Sequence, residues 1–113
     1  MDITGWQAQL RKGAAELVVL AALAPGELYG LQILERIGGA GGVVNEGTLY
    51  PLLNRLERDA KLVSRWSLDA SSAHPRKYYR LSPEGVEMLA AMRAYWSSFR
   101  AAVSDIVEPT HDR

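Results

Sequence analysis

A mainly α fold with one small β-hairpin is predicted by three features of the sequence. Apolar residues recur at helical spacing in four separate segments. The period changes to two only over residues 62–68 and 76–81, which reads as a pair of strands. The last helical segment carries an apolar seam over residues 89–106, longer than so small a chain can cover by itself. The 113 residues and 12.4 kDa fit one domain, and a lone domain of that size buries only about 65% of its unfolded surface. A second copy of the chain is the expected source of the missing cover.

The elements follow in order. The first helix is expected over residues 7–24, with Leu10, Leu17, Leu20, Ala21 and Ala24 on one side. Its Leu17-Val18-Val19-Leu20 run leaves little polar face, so it reads as buried nearly all round, and Pro25-Gly26 stops it. A second, short helix is expected over residues 28–37, on the spacing of Ile33, Leu34 and Ile37. Residues 38–42, four of them glycine, have no Gly-Lys-Ser/Thr behind them and no strand before them; they read as a connector, not a phosphate loop. The third helix runs from Asn45-Glu46 to about Asp59. Leu49, Leu52, Leu53 and Leu56 form its core stripe, opposite Gly47, Pro51, Asn54 and Arg58. Tyr50 lies on one flank of that outward face and Arg55 on the other. Pro51 is expected in the first turn, where a missing N–H is tolerated. After the hairpin, whose loop is residues 69–75, Ser82-Pro83-Glu84 caps and starts a helix reaching Val107, about 37 Å long. A polar tail follows.

Composition excludes several classes. No cysteine means no disulfide framework, no thiolate zinc site and no thiol nucleophile. The longest uncharged apolar stretch, residues 17–25, is far short of the ~20 residues of a membrane span. Asp2 and Glu16 interrupt the region where a signal peptide would lie. An enzyme has no support: His74 and His111 read as surface histidines without a nucleophile beside them, and His74 with Asp69 offers too few ligands for a metal. No cofactor is expected. Thirteen bases balance thirteen acids, which at first argues against nucleic acid. Between residues 55 and 80, however, seven bases face three acids, a net +4, and the remainder nets −4. A polar helix face followed by a basic hairpin is the arrangement that places a helix in the major groove and a wing along the backbone.

These same residues resemble a known family. Glu46-Gly47-Thr48-Leu49-Tyr50-Pro51-Leu52-Leu53-Asn54-Arg55-Leu56-Glu57-Arg58 closely resembles the recognition-helix signature of the PadR family of bacterial winged helix-turn-helix regulators. Pro75-Arg76-Lys77-Tyr78-Tyr79-Arg80-Leu81-Ser82-Pro83-Glu84-Gly85 is similar to that family's second wing strand and the start of its final helix. Gly13-Ala14-Ala15-Glu16-Leu17-Val18-Val19-Leu20 and Tyr29-Gly30-Leu31-Gln32-Ile33 fit its first two helices, so the resemblance spans about residues 8–107. The single last helix matches the short subgroup. Three departures stand out: Tyr29-Gly30-Leu31-Gln32 replaces His-Gly-Tyr-Glu, Ala60 stands where a glycine closes the recognition helix, and Ala73-His74 replaces Gly-Arg at the wing tip.

The expected architecture is a winged helix-turn-helix domain over residues 1–82, a dimerisation helix over 83–107 and a polar tail over 108–113. Thr48, Tyr50, Pro51 and Asn54 are expected at base edges and nearby phosphates of double-stranded DNA, with Asn54 able to pair with adenine. Arg58, Arg65, Arg76 and Lys77 are expected at phosphates. Tyr50 has a second role open to it, packing against the wing. Arg55 and Arg80 read as intramolecular partners of Glu57 or Glu84, and Tyr79 and Leu81 as core. The seam Leu89, Met92, Trp96, Phe99, Val103 and Ile106, widened by Met88, Tyr95 and Ala102, is expected at a homodimer interface. The resemblance implies pairing through the first and last helices and a response to phenolic acids or planar drugs. Trp6, Tyr95, Trp96 and Phe99 are the aromatics available to hold such an effector. The functional expectation is a cytoplasmic, bacterial, homodimeric repressor that reads a palindromic operator and is released by a small hydrophobic or aromatic effector. The competing class is a dimeric winged-helix interaction module that does not read DNA.

Overall fold

Polar side chains start the helices. The Asp2 carboxylate accepts from the Thr4 N–H at 2.9 Å, Asn45 Oδ1 from the Thr48 N–H at 2.9 Å, and Ser82 Oγ from the Gly85 N–H at 2.9 Å. The computed structural model describes residues 1–38, 42–68 and 74–108. Its elements are α1 (Thr4–Ala22), β1 (Leu28–Tyr29), α2 (Gly30–Gly38), α3 (Glu46–Arg58), β2 (Leu62–Ser67), β3 (Arg76–Leu81) and α4 (Pro83–Val107). Most of the connector, most of the hairpin loop with Ala73, and the tail from residue 109 lie outside the described residues.

Leu28 and Tyr29 correct the expected second helix. They form a two-residue strand that pairs antiparallel with Tyr79 and Tyr78, and the helix begins only at Gly30. Two residues are too few to show a period, and their partner lies far along the chain. The hairpin thereby becomes a three-stranded sheet in the order β1-β3-β2, with Leu62 opposite Leu81 and Ser67 opposite Arg76.

The core gathers Val19, Leu20 and Leu23 from the end of α1, Ile33 and Ile37 from α2, the four leucines of α3, Leu62 and Tyr79 from the sheet, and Leu89 from α4. It reaches only the second half of α1. The expectation of a first helix buried nearly all round does not hold, since Trp6 is 60% and Leu10 59% exposed and Ala24 is exposed. Hydropathy states that a face needs cover, not that the same chain supplies it. Leu89, expected at the head of the dimer seam, is likewise buried in the protomer's own core, with Met88 and Met92 partly buried beside it. From Trp96 onward the seam is bare: Trp96, Phe99, Val103 and Ile106 are 44, 47, 39 and 82% exposed. The radius of gyration is 16.7 Å, against about 13 Å for a compact chain of this length, and the long dimension is 61 Å.

The joint between α3 and α4 is closely built. Ala60 takes the left-handed conformation, φ 63°, and the Lys61 N–H reaches the Leu56 carbonyl at 2.8 Å, closing α3 as a glycine would. Ser82 Oγ donates to the Ala60 carbonyl at 2.6 Å, and the Ser82 N–H donates to the Lys61 carbonyl at 3.0 Å. A Cβ at Gly85 would lie 2.1 Å from the Lys61 carbonyl oxygen, so the first turn of α4 sits directly on the turn that ends α3.

Candidate nucleic-acid interface

With its leucines inward, α3 turns Thr48, Tyr50, Pro51, Asn54 and Arg58 to solvent, all exposed. No acid stands on the face formed by Gly47, Pro51, Asn54 and Arg58. Pro51 is not in the first turn as expected but in the second, inside the helix. It removes the N–H that would meet the Gly47 carbonyl, and Gly47 lies on the exposed side, where water can replace that donor.

Two clefts flank this face. On the sheet side β1 ends opposite Tyr78, which leaves the Arg76–Lys77 end of β3 paired with β2 on one edge and open on the other. There a cleft of about 260 Å³ opens between Gly30, Tyr50, Trp66, Arg76 and Lys77. Tyr50 closes over the start of α2, because a Cβ at Gly30 would lie 2.3 Å from its hydroxyl oxygen. Its close packing partner is therefore α2, and across the cleft from the wing it remains 42% exposed. On the other side a cleft of about 350 Å³ lies between Arg11 and Lys12 of α1 and Asn45 and Thr48 at the start of α3.

The strand alternation divides the wing's cations between two faces. Arg65 pairs across to Tyr78 and stacks 4.8 Å over its ring, while Arg76 lies 4.7 Å over Tyr29. Lys77 is on the other face, toward α3, 5.8 Å from the exposed Trp66 ring and 3.1 Å from Glu57 Oε1. Arg65 and Lys77, both expected at phosphates, are thus already paired with acids. Arg65 Nε donates to Glu27 at 3.0 Å, and a second guanidinium nitrogen donates to the same carboxylate. The Arg65 hydrogen bond holds the Glu27 carboxyl below its ordinary pKa. Ser64, which donates to Glu57, and then Lys77 hold the Glu57 carboxyl below its own, and Glu57 in turn raises Lys77. Arg58 makes no ion pair among the described residues.

The expected partner of Arg55 is corrected: it meets Glu16 of α1 at 3.1 Å and Asp59 at 3.9 Å, because it lies on the α1 side of α3, away from Glu57. Arg80 is exposed and lies in the field of Glu27, not Glu84. Tyr79 is buried and Leu81 packs against the core, as expected. The aromatics expected to hold an effector stand apart from these clefts: Tyr95 and Phe99 stack with centroids 5.7 Å apart, 69% and 47% exposed. Sequence reading missed Arg11, Lys12, Trp66 and Gly30. Arg11 and Lys12 carried a signal, a cationic pair on the polar flank of α1, but nothing in the sequence said that this flank lies beside α3.

A short helix leading into a second helix with a bare polar face, followed by a sheet ribbon carrying cations, defines a winged helix-turn-helix protein. Residues 19–91 match the family model described as the transcriptional regulator PadR-like family, and the chain belongs to that family. It is 35% identical over 77 residues to the transcriptional regulator Rv3488 of Mycobacterium tuberculosis, covering 68% of this chain and 70% of that one. Among solved structures it resembles a PadR family transcriptional regulator from Eggerthella lenta DSM 2243, with a TM-score of 0.79 and 31% identity over 96% of this chain and 94% of that one. A PadR-like transcriptional regulator from Bacillus cereus matches with a TM-score of 0.79 and 25% identity, over 90% and 99% of the two chains.

Proposed function

We propose that the chain is a homodimeric repressor that reads a palindromic DNA operator with α3 and is released by a small hydrophobic or aromatic effector. The observation that carries the DNA reading is the outward face of α3: five exposed residues, Thr48, Tyr50, Pro51, Asn54 and Arg58, with all four leucines of the helix turned inward. Thr48, Tyr50, Pro51 and Asn54 approach base edges and adjoining phosphates, and Arg58, Arg76 and Lys77 meet phosphates. Arg65 and Lys77 contribute less than Arg58, because a phosphate there must compete with Glu27 or Glu57. Residues 1–82 form the DNA-binding unit and residues 83–107 the pairing helix. Two-fold pairing through the bare half of α4 and the exposed first half of α1 sets two α3 helices about 34 Å apart, one per half-site. This reading puts the protein in the bacterial cytoplasm, beside the DNA it regulates.

Binding to the chain's own upstream DNA tests the proposal. Asn54→Ala is expected to weaken operator binding by about 1–3 kcal/mol and to relax preference at one base pair. Equal losses on every sequence would remove its base-reading role, and salt-independent binding would favour the interaction module instead. For the effector, Trp96, Phe99, Tyr95 and Trp6 offer exposed rings at the proposed interface. A panel of flat aromatic cations and phenolic acids is expected to quench tryptophan fluorescence; unchanged emission across the panel would sink the effector reading.

A further inference from the structure

We infer that Arg11 and Lys12 of α1 form a second phosphate-binding site, which holds the DNA backbone strand on the side of α3 opposite the wing. The inference rests on the DNA-binding reading above and names residues outside the basic segment, on a part of the chain whose net charge is negative.

A helix in the major groove lies between two phosphate backbones, because the groove is about 12 Å wide and a helix with its side chains fills it. The wing can meet only one of them. Going around α3, Tyr50 and Glu57 face the sheet, with Glu57 bound to Ser64 and Lys77. Arg55 faces α1, where it meets Glu16. Gly47, Pro51, Asn54 and Arg58 lie between these flanks, so each flank faces one backbone. The wing flank carries Arg76 and Lys77 at the mouth of its cleft. The α1 flank has the matching feature: the 350 Å³ cleft lined by Arg11 and Lys12 on one wall and by Asn45 and Thr48 on the other.

The charges on the α1 side are the more available ones. Arg65 and Lys77 are bound to Glu27 and Glu57, whereas Arg11 and Lys12 are exposed and make no ion pair among the described residues. An exposed cation without a carboxylate partner can neutralise a phosphate, and so release that phosphate's condensed counterions, with no internal competitor. Thr48, on the opposite wall, has its N–H occupied by Asn45, and its hydroxyl is left to donate to the same phosphate. The backbone on this side is thereby held by two cations and one hydroxyl, as the other is held by the wing.

The test is a salt series of binding by the full-length Arg11→Gln/Lys12→Gln variant to the chain's upstream duplex and to a scrambled duplex. The slope of log K against log salt is expected to fall by about 0.9 for each phosphate that is no longer neutralised. Binding at ~0.15 M salt is expected to fall by about 30-fold, equally on both duplexes. Arg11→Lys/Lys12→Arg, which keeps the charge, is expected to restore the slope. An unchanged slope in the neutral variant, with the wild-type protein binding normally, would overturn this inference and leave the DNA reading standing. A loss confined to one duplex would also overturn it, since a phosphate site reads no sequence. Wild-type protein with no salt-dependent binding to any duplex would instead remove the DNA reading itself.

Discussion

Four leucines at positions 49, 52, 53 and 56 make the stripe of α3, and a single chain buries them all, whereas the stripe of α4 starts buried at Leu89 and lies bare from Trp96 onward. The two helices follow the same 3-4 spacing and differ in what the fold brings to them. α3 is enclosed by α2 and β2, while α4 leaves the core after its first three turns, so that Tyr95, Trp96 and Phe99 lie outside the core and are exposed. Spacing therefore specifies that a face must be covered and leaves open which molecule covers it.

Leu53→Ala breaks the enclosed side of this comparison most severely. The side chain is fully buried, so truncation is expected to destabilise the protomer by about 2–5 kcal/mol, seen as a lower urea midpoint. Trp96→Ala probes the open side. It is expected to weaken self-association by about 2 kcal/mol, measured by sedimentation equilibrium, while the far-ultraviolet circular dichroism of the helices stays the same. Wild-type protein that is monomeric at micromolar concentration would end the dimer proposal, and a Trp96→Ala protein that unfolds would place that side chain in the protomer core. The smallest effect is expected at the joint between the two helices. Ala60→Gly relieves a left-handed alanine and is expected to add about 0.5–1 kcal/mol, raising Tm by a few degrees. A lower Tm would show that the lost restraint on the unfolded chain outweighs the strain relieved.

Where a structural preference is local, it was legible. The start of α4 at Ser82-Pro83, the polar cap and leucine stripe of α3 and both hairpin strands follow from capping, periodicity and the change of period. β1 was not legible, since a two-residue strand exists only through its pairing with Tyr78 and Tyr79. The partners of the charged groups were hidden for the same reason. Arg55 meets Glu16, Arg65 meets Glu27 and Lys77 meets Glu57, and no pattern of adjacent residues predicts pairs separated by that much chain. The face of α3 could be read as polar from a helical wheel, but its two cationic flanks could not, because each joins α3 to a different distant element.

By itself, the sequence determined the order of the elements, the apolar stripes and the polar helix face followed by a basic ribbon. These depend on residues within a turn or two of one another, where backbone hydrogen bonding and side-chain direction leave few alternatives. Only the tertiary structure decided that Leu89 belongs to the core and Trp96 does not, that Arg65 and Lys77 are already paired with acids, and that Arg11 and Lys12 stand beside Thr48. Such outcomes depend on which surfaces meet, and contacts between distant segments follow from the packing of the whole chain.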